Sequence, residues 1–218
     1  MDTWTDDLRE GYDRVAAEYA ARIFDELRHK PLDRELLDRF AEGVRGRGPV
    51  CDLGCGPGHV ARYLHERGLA VVGVDLSPGM IAQAQRLSPE IPFRQGTMLA
   101  LDFEDESLGG IAAFYSIIHV PRDRLATAFA EMRRVLRPDG LLLVAYHRGS
   151  EDVHLDEWFG ERVSMDFYFF DRAEIEQRLT HAGFTVEESL LREPYPDVEH
   201  QSRRVYILAR KPGRPLHE

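Results

Sequence analysis

Two patterns of apolar and polar positions divide most of the chain. Short apolar runs, at residues 50–53, 69–74, 110–114 and 141–146, are typical of buried parallel strands. Between them, apolar residues recur every three or four positions, as in residues 122–136, which predicts amphipathic helices. Strands that alternate with helices indicate an α/β fold with a parallel sheet.

A glycine-rich segment follows the first apolar run directly. Residues 54–58 read Gly-Cys-Gly-Pro-Gly, and a helical pattern begins at once after them. Glycines permit a sharp turn and let a ligand approach the backbone, while the free N–H groups of the helix start face the same point. Asp75 ends the next strand, 19 residues after Gly56 (75 − 56), where a carboxylate is placed to accept both hydroxyls of a ribose. The spacing therefore predicts a nucleoside site.

The details around the loop distinguish between nucleosides. A dinucleotide fingerprint would carry its third glycine at position 59, which is His59 here. Asp52, at the end of the first strand, suits an ammonium group better than a pyrophosphate. These features disfavour an NAD-dependent oxidoreductase, which stays a minor alternative.

Three segments resemble motifs of class I S-adenosylmethionine-dependent methyltransferases: residues 52–58, 73–80 and 134–142. The resemblance implies a doubly wound, Rossmann-like sheet of seven strands, mostly parallel with an antiparallel terminal hairpin, and helices on both faces. It also implies S-adenosyl-L-methionine as cofactor and methyl transfer to a small molecule. A protein that binds S-adenosylmethionine or S-adenosylhomocysteine without turnover remains an alternative.

The motifs and the resemblance together nominate a set of cofactor-binding residues. These are Tyr19, Asp52, Gly54, Cys55, Gly56, Asp75, Leu76, Met80, Thr97, Met98 and Tyr115. Thr97 stands where family members often carry an acid that contacts the adenine amino group. Met80 fits an adenine contact and a core position equally well.

Two histidines leave the fourth and fifth predicted strands at the edge where α/β proteins bind ligands. We name His119 and His147 as candidate catalytic residues because an imidazole can take a proton near neutral pH. His119 fits a base, a substrate contact and a structural residue about equally. The expected substrate-side residues are Tyr12, Tyr115, His119, Tyr146, Trp158 and Tyr168. The aromatic stretch at 158–170 suggests an apolar or aromatic acceptor, although packing explains it as well.

Composition narrows the partners. The chain has 218 residues and a formal net charge of −10, with no basic run, so we expect no nucleic-acid substrate. We expect no membrane span, a cytoplasmic location and two reduced cysteines, Cys51 and Cys55. We expect no metal site, and we expect the protein to be a monomer or a homodimer.

We expect one domain with four parts. Residues 1–48 form a helical lid, by resemblance, in which Tyr12 and Tyr19 cover the cofactor; ordinary helix packing is the alternative reading. Residues 49–147 form the cofactor-binding core, 148–170 an aromatic insertion on the substrate side, and 171–211 a closing helix and hairpin. Arg203 and Arg204 are expected on the hairpin surface, with a role in holding an acidic acceptor as the lesser alternative.

Overall fold

The structure, a computed structural model, describes residues 3–214. Its strands are β1 Val50–Leu53, β2 Val71–Asp75, β3 Phe93–Gln95, β4 Leu108–Phe114, β5 Leu136–His147, β6 Val153–Trp158, β7 Glu161–Phe167, β8 Thr185–Arg192 and β9 Arg204–Arg210. Its α-helices are α1 Thr3–Ile23, α2 Pro31–Val44, α3 His59–His65, α4 Pro78–Leu87, α5 Leu125–Val135 and α6 Arg172–His181. Short 3₁₀ helices lie at Glu26–His29 and Ile117–His119.

A seven-stranded sheet in the order β3-β2-β1-β4-β5-β9-β8 forms the centre. Strands β1 to β5 are parallel, and β9 pairs antiparallel with both β5 and β8. This arrangement confirms the predicted fold class. The order reverses at β1 and β4, so the carboxyl ends of these strands border the crevice in which such sheets bind ligands.

Each face of the sheet is buried under its own helices. On one face β4 and β5 pack against α5 and α6, through residues that include Ile111, Leu142 and Tyr146. On the other face their neighbours in sequence, such as Ala112 and Leu143, pack against α2, α3 and α4. The two-residue alternation of a strand thus decides which face a side chain serves.

Helix α1 and the β6–β7 hairpin lie outside the sheet and pack on each other. Gly11 allows close contact, since a Cβ built there would lie 2.6 Å from Met165 Sδ on β7. Asp13 Oδ1 accepts hydrogen bonds from Ser77 Oγ at 2.6 Å and from Gly79 N at 2.7 Å, and so ties α1 to the start of α4. These contacts hold α1 beside the carboxyl end of β2.

Across residues 3–214, no helix combines the length and the apolar character needed to cross a bilayer.

Candidate functional site

A cavity of about 900 Å³ lies at the carboxyl ends of β1, β2 and β4. We call it the glycine-loop cavity. The segments that follow β1, β2, β3 and β4 provide its walls together with α1, and its lining includes Gly54, Cys55, Gly56, Asp75, Leu76, Met80, Thr97, Met98, Tyr12, Tyr19 and Tyr115. The cavity thus brings together all but one of the predicted cofactor-binding residues.

The loop after β1 needs its glycines for two different reasons. Gly54 has a φ of +72°, and a Cβ there would lie 2.2 Å from Ser116 Cβ, so a side chain cannot fit. Gly56 has a φ of +52°, but a Cβ there would meet only Tyr19 Cε1, at 3.7 Å. The space beside Gly56 therefore belongs to the cavity, and it lets a ligand approach the backbone.

Asp75 presents a carboxylate to this cavity from the end of β2. Its Oδ2 accepts the Gly56 N–H at 2.8 Å and its Oδ1 accepts the Ser77 N–H at 2.9 Å. Burial raises the pKa of Asp75 to about 6, although these backbone hydrogen bonds oppose the rise. A carboxylate has about four acceptor sites, so both oxygens can still accept a hydroxyl each.

Asp52 is placed differently from the prediction. Its carboxylate is 1% exposed, lies under α3 and accepts the Ala61 N–H at 2.8 Å. It does not line the cavity, and burial raises its pKa to about 7. The expected contact with an ammonium group does not match this position, because the carboxylate satisfies the helix start instead.

A second cavity, of about 1060 Å³, adjoins the first. We call it the aromatic cavity because its walls include Trp158, Phe167 and Phe169. The residues that line both cavities are Tyr12, Tyr19, Glu26 and Tyr115. Tyr12, Tyr19 and Trp158 pack edge to face, with ring centroids 5.4 to 5.8 Å apart. The boundary between the cavities is therefore mostly aromatic, and Glu26 is the charged residue on it.

His119 faces the glycine-loop cavity with both ring nitrogens engaged. Its Nδ1 lies 3.0 Å from the carbonyl oxygen of Asp166, and its Nε2 lies 2.6 Å from Tyr12 Oη. A carbonyl only accepts, so Nδ1 carries the proton and Nε2 accepts the Tyr12 hydroxyl. Burial lowers the pKa of His119 to about 4. The ring is thus neutral at pH 7 and joins α1 to the end of β4.

His147 lies in the aromatic cavity beside Tyr115. Its ring packs at a tilt on Tyr115 and on Phe169, with centroids 5.3 and 5.4 Å away, and its Nδ1 lies 2.8 Å from Ser202 Oγ. Tyr115 has a φ of +51°, an unfavourable value for a non-glycine residue that places its ring between the two cavities.

Two predicted substrate residues lie elsewhere. Tyr146 is fully buried and packs on Phe170, on the face of the sheet that α5 and α6 cover. It cannot reach either cavity, because strand alternation points it away while His147 points in. Tyr168 stacks on Phe170 and borders only a small separate pocket near His119, whereas Phe167 and Phe169 line the aromatic cavity. Trp158, Tyr12, Tyr115 and His119 do border the two main cavities.

Several polar residues of the site were missed from the sequence. Glu26 lies 2.7 Å from Lys30 Nζ and 3.3 Å from His59 Nε2, and all three border a cavity. The four-residue spacing of Glu26 and Lys30 was the one available signal. Arg204 was expected on the surface, but its side chain is 2% exposed and lines the aromatic cavity.

Comparisons with known proteins agree with this geometry. Residues 50–140 match the family model described as a methyltransferase domain. The chain is 34% identical over 131 residues to the uncharacterized methyltransferase YcgJ of Bacillus subtilis, covering 58% of this chain and 51% of that protein. It is 35% identical over 112 residues to demethylmenaquinone methyltransferase of Beutenbergia cavernae, covering 51% and 45%. The chain therefore spans about half the length of these relatives.

Over residues 50–140 the chain is therefore similar to the methyltransferase domain. Solved structures show the same fold over 79% to 97% of the chain. The DhpI–SAH complex superposes with a TM-score of 0.74 at 24% identity, covering 97% of this chain and 98% of that one. A methyltransferase from Methanosarcina mazei gives 0.71 at 16% identity, covering 79% and 96%. The family motifs contribute the glycine loop and Asp75, the two features that form the first cavity.

Proposed function

We propose that the protein transfers a methyl group from S-adenosyl-L-methionine to a small-molecule acceptor. The observation that carries the proposal is the pairing of two cavities across one aromatic boundary. The glycine-loop cavity has the features of a nucleoside site, and Tyr12, Tyr19 and Tyr115 line both it and the aromatic cavity. Methyl transfer requires the acceptor atom to lie close to the methyl group, and adjoining cavities that share lining residues place two ligands side by side.

The residues of the glycine-loop cavity fit the cofactor. Asp75 would accept the ribose hydroxyls, Leu76, Thr97 and Met98 would surround the adenine, and Gly56 would leave room along the chain. Two buried polar atoms on this wall, Ser116 Oγ and His59 Nδ1, have no hydrogen-bond partner within residues 3–214. Ser116 Oγ is a suitable donor to the carboxylate of the methionine part, whereas a neutral His59 ring with its Nε2–H towards Glu26 offers Nδ1 as an acceptor for the ammonium group.

Bound S-adenosylmethionine supplies a methyl group that is already electrophilic. The protein's task is then to orient the acceptor atom and to exclude water. Tyr12, Tyr19 and Trp158 exclude water at the boundary through their edge-to-face packing. His119 acts here as a positioning residue for Tyr12, since its pKa of about 4 makes it a weak base at pH 7.

We further propose that residues 1–48 act as a lid and 148–170 as the substrate-side wall. Helix α1 contributes Tyr12 and Tyr19 to both cavities, and its hold on the rest of the site includes the Tyr12–His119 and Asp13–Ser77 hydrogen bonds. Opening of α1 would release these contacts and admit the cofactor. The β6–β7 hairpin would move with it, since β7 packs along α1.

The acceptor that best fits the second cavity is apolar or aromatic. Its walls are mostly aromatic and aliphatic side chains, as in sites for planar ligands. Two relatives support a small-molecule acceptor by their names: demethylmenaquinone methyltransferase and, from Streptomyces griseus, N-demethylindolmycin N-methyltransferase, 34% identical over 101 residues (44% of this chain, 43% of that protein).

A turnover assay tests the proposal. The purified chain is incubated with isotopically labelled S-adenosylmethionine and a panel of aromatic hydroxyl, amine and carboxylic compounds, and both S-adenosylhomocysteine and labelled product are measured. We expect equal amounts of the two with at least one acceptor. Trp158→Ala should raise the acceptor KM and leave the cofactor Kd unchanged, because Trp158 lines only the aromatic cavity. Cofactor binding without turnover on any acceptor would favour a binding protein instead.

A further inference from the structure

The aromatic cavity ends on a group of buried polar side chains that methyl transfer does not itself require. Lys30, His147 and Arg204 line this end together with Glu26 and Glu199. The side chains of Lys30 and Arg204 are 5% and 2% exposed. Burying charged groups is costly unless they are paired, so their arrangement calls for a physical explanation.

The two cations are unequally neutralised. Lys30 Nζ lies 2.7 Å from Glu26 and 3.5 Å from Glu199, whereas the carboxylate closest to Arg204 is Glu199 at 3.4 Å. Glu199 is held mainly by Arg192, at 2.5 Å. Asp33 pairs with Arg192 at 3.3 Å but lines neither cavity. Lys30 and Arg204 at the cavity end are therefore paired with only two acids, Glu26 and Glu199. Glu199 also pairs with a third cation, Arg192, which lies outside the cavity.

Arg204 also has an unsatisfied donor. Its Nη1 donates to the carbonyl oxygen and the hydroxyl of Ser202, and its Nη2 donates to the carbonyl oxygen of His200 at 2.7 Å. Its buried Nε–H has no partner within residues 3–214. An unpaired buried donor is unfavourable, and an oxygen atom of a ligand in the cavity would remove that cost.

His147 lies at the same end of the cavity as the two cations. Burial holds its pKa well below the usual range, and the charges of Arg204 and Lys30 lower it further, together with His200. Glu26 and Glu199 face this region too and neutralise part of the positive charge of Lys30 and Arg204. An anion would be stabilised beside this ring.

We propose that Arg204 and His147 anchor an oxyanion, of the carboxylate class, on an aromatic acceptor. The aromatic walls would hold the planar body, and the polar end would select acids over amides and amines. Arg204 and His147 are then specificity-determining residues. The inference rests on the proposed function for the identity of this cavity as the acceptor's.

Three matched ligands test the selection without any mutation. Phenylacetate, phenylacetamide and phenethylamine share a ring and a similar chain, and their binding is measured by calorimetry with and without saturating S-adenosylhomocysteine. We expect the acid to bind at least about tenfold more tightly than the amide, because a charge-assisted hydrogen bond is the stronger one, and the amine to bind most weakly. An amide or amine that binds as tightly as the acid overturns the inference.

The same titrations separate this inference from the proposed function. Acid selection without any S-adenosylhomocysteine binding would support the inference and contradict the proposed function. S-adenosylhomocysteine binding without selection of the acid would agree with the proposed function and contradict the inference.

Neighbouring arginines provide the matched variants. Arg204→Gln should reduce the preference for the acid to within about threefold. Arg203→Gln should keep the wild-type preference, since Arg203 is half exposed, lies 2.8 Å from Glu193 and lines neither cavity. His147→Gln is a second variant, at a residue that is less buried than Arg204. It should lower the affinity for the acid severalfold and leave the affinity for the amine unchanged. Wild-type selection in Arg204→Gln or in His147→Gln, with the fold intact by thermal unfolding, would overturn the assignment.

Discussion

The two halves of the site are held in place by different kinds of contact. In the glycine-loop cavity, backbone groups position the chemistry: Asp75 is fixed by the N–H groups of Gly56 and Ser77. In the aromatic cavity and at its boundary with the first cavity, side chains position other side chains, as in the pairs Lys30–Glu26 and Tyr12–His119. A backbone-built half suits a constant ligand, whereas a side-chain-built half can change its ligand by single substitutions. The family resemblance lies in the first half, which is consistent with a shared cofactor and varied acceptors.

Removal of the Asp75 carboxylate should show the largest effect, and it tests the backbone-built half. We expect Asp75→Ala to weaken S-adenosylhomocysteine binding by ~30–150-fold, or ~2–3 kcal/mol, because a charged acceptor of two hydroxyls is lost. Calorimetry measures the Kd. Asp102→Ala, an exposed acid that lines neither cavity, is the control. A Kd for Asp75→Ala within twofold of wild type would remove Asp75 from the site.

The pH dependence of cofactor binding is a second test of Asp75 and the backbone-built half. Burial raises the pKa of Asp75 to about 6, and ribose hydroxyls donate to its ionised form. Below that pH the free protein holds a proton that binding must displace, so affinity falls as the pH falls. We expect S-adenosylhomocysteine to bind about tenfold more weakly at about pH 5 than at pH 7. Asp75→Asn should flatten the profile, and an unchanged slope in that variant would assign it to another group.

The Tyr12–His119 hydrogen bond tests the side-chain-built half. Tyr12→Phe removes the hydroxyl and leaves His119 Nε2 without its donor. We expect the free energy of unfolding to fall by about 1 kcal/mol, the usual cost of such a loss. Tyr19→Phe on the same helix is the control, since its hydroxyl makes no comparable bond within residues 3–214. Equal effects of the two substitutions would mean that the bond does not secure α1.

The smallest effect is expected at Asp52, which lies near the end of β1, the strand beside that of Asp75. Asp52→Asn keeps an oxygen for the Ala61 N–H, and Asp52 does not line the cavity. We expect the S-adenosylhomocysteine Kd to stay within about twofold. Because the folded-state pKa of Asp52 is raised to about 7, its ionisation disfavours the folded state as the pH rises towards that value. The variant should thus be at least as stable as wild type at pH 8. A tenfold loss of cofactor affinity would instead support the predicted contact between Asp52 and the cofactor's ammonium group.

Local contacts explain how much of the site the sequence could predict. Gly56 and Asp75 are 19 residues apart, and the intervening βαβ unit fixes their geometry. The cap of α4 by Ser77, whose hydroxyl accepts the Met80 N–H at 3.0 Å, follows from the four residues around it. The geometry of the strand–loop–helix half was therefore predictable.

The other half depends on contacts that no local pattern encodes. Tyr12 and His119 are 107 residues apart, and Arg204 meets the cavity only because β9 inserts between β5 and β8. The wrong placement of Tyr146 was avoidable. It shares its parity along β5 with Leu142 and Val144, which face α5, so the alternation already pointed it away from His147.

A calorimetric titration of the purified chain with S-adenosylmethionine, S-adenosylhomocysteine and NAD tests the central claim most directly. The account predicts micromolar binding of the first two ligands and none of NAD, because the loop lacks the third glycine of a dinucleotide fingerprint at position 59. Binding of NAD with no response to either adenosyl compound would contradict it.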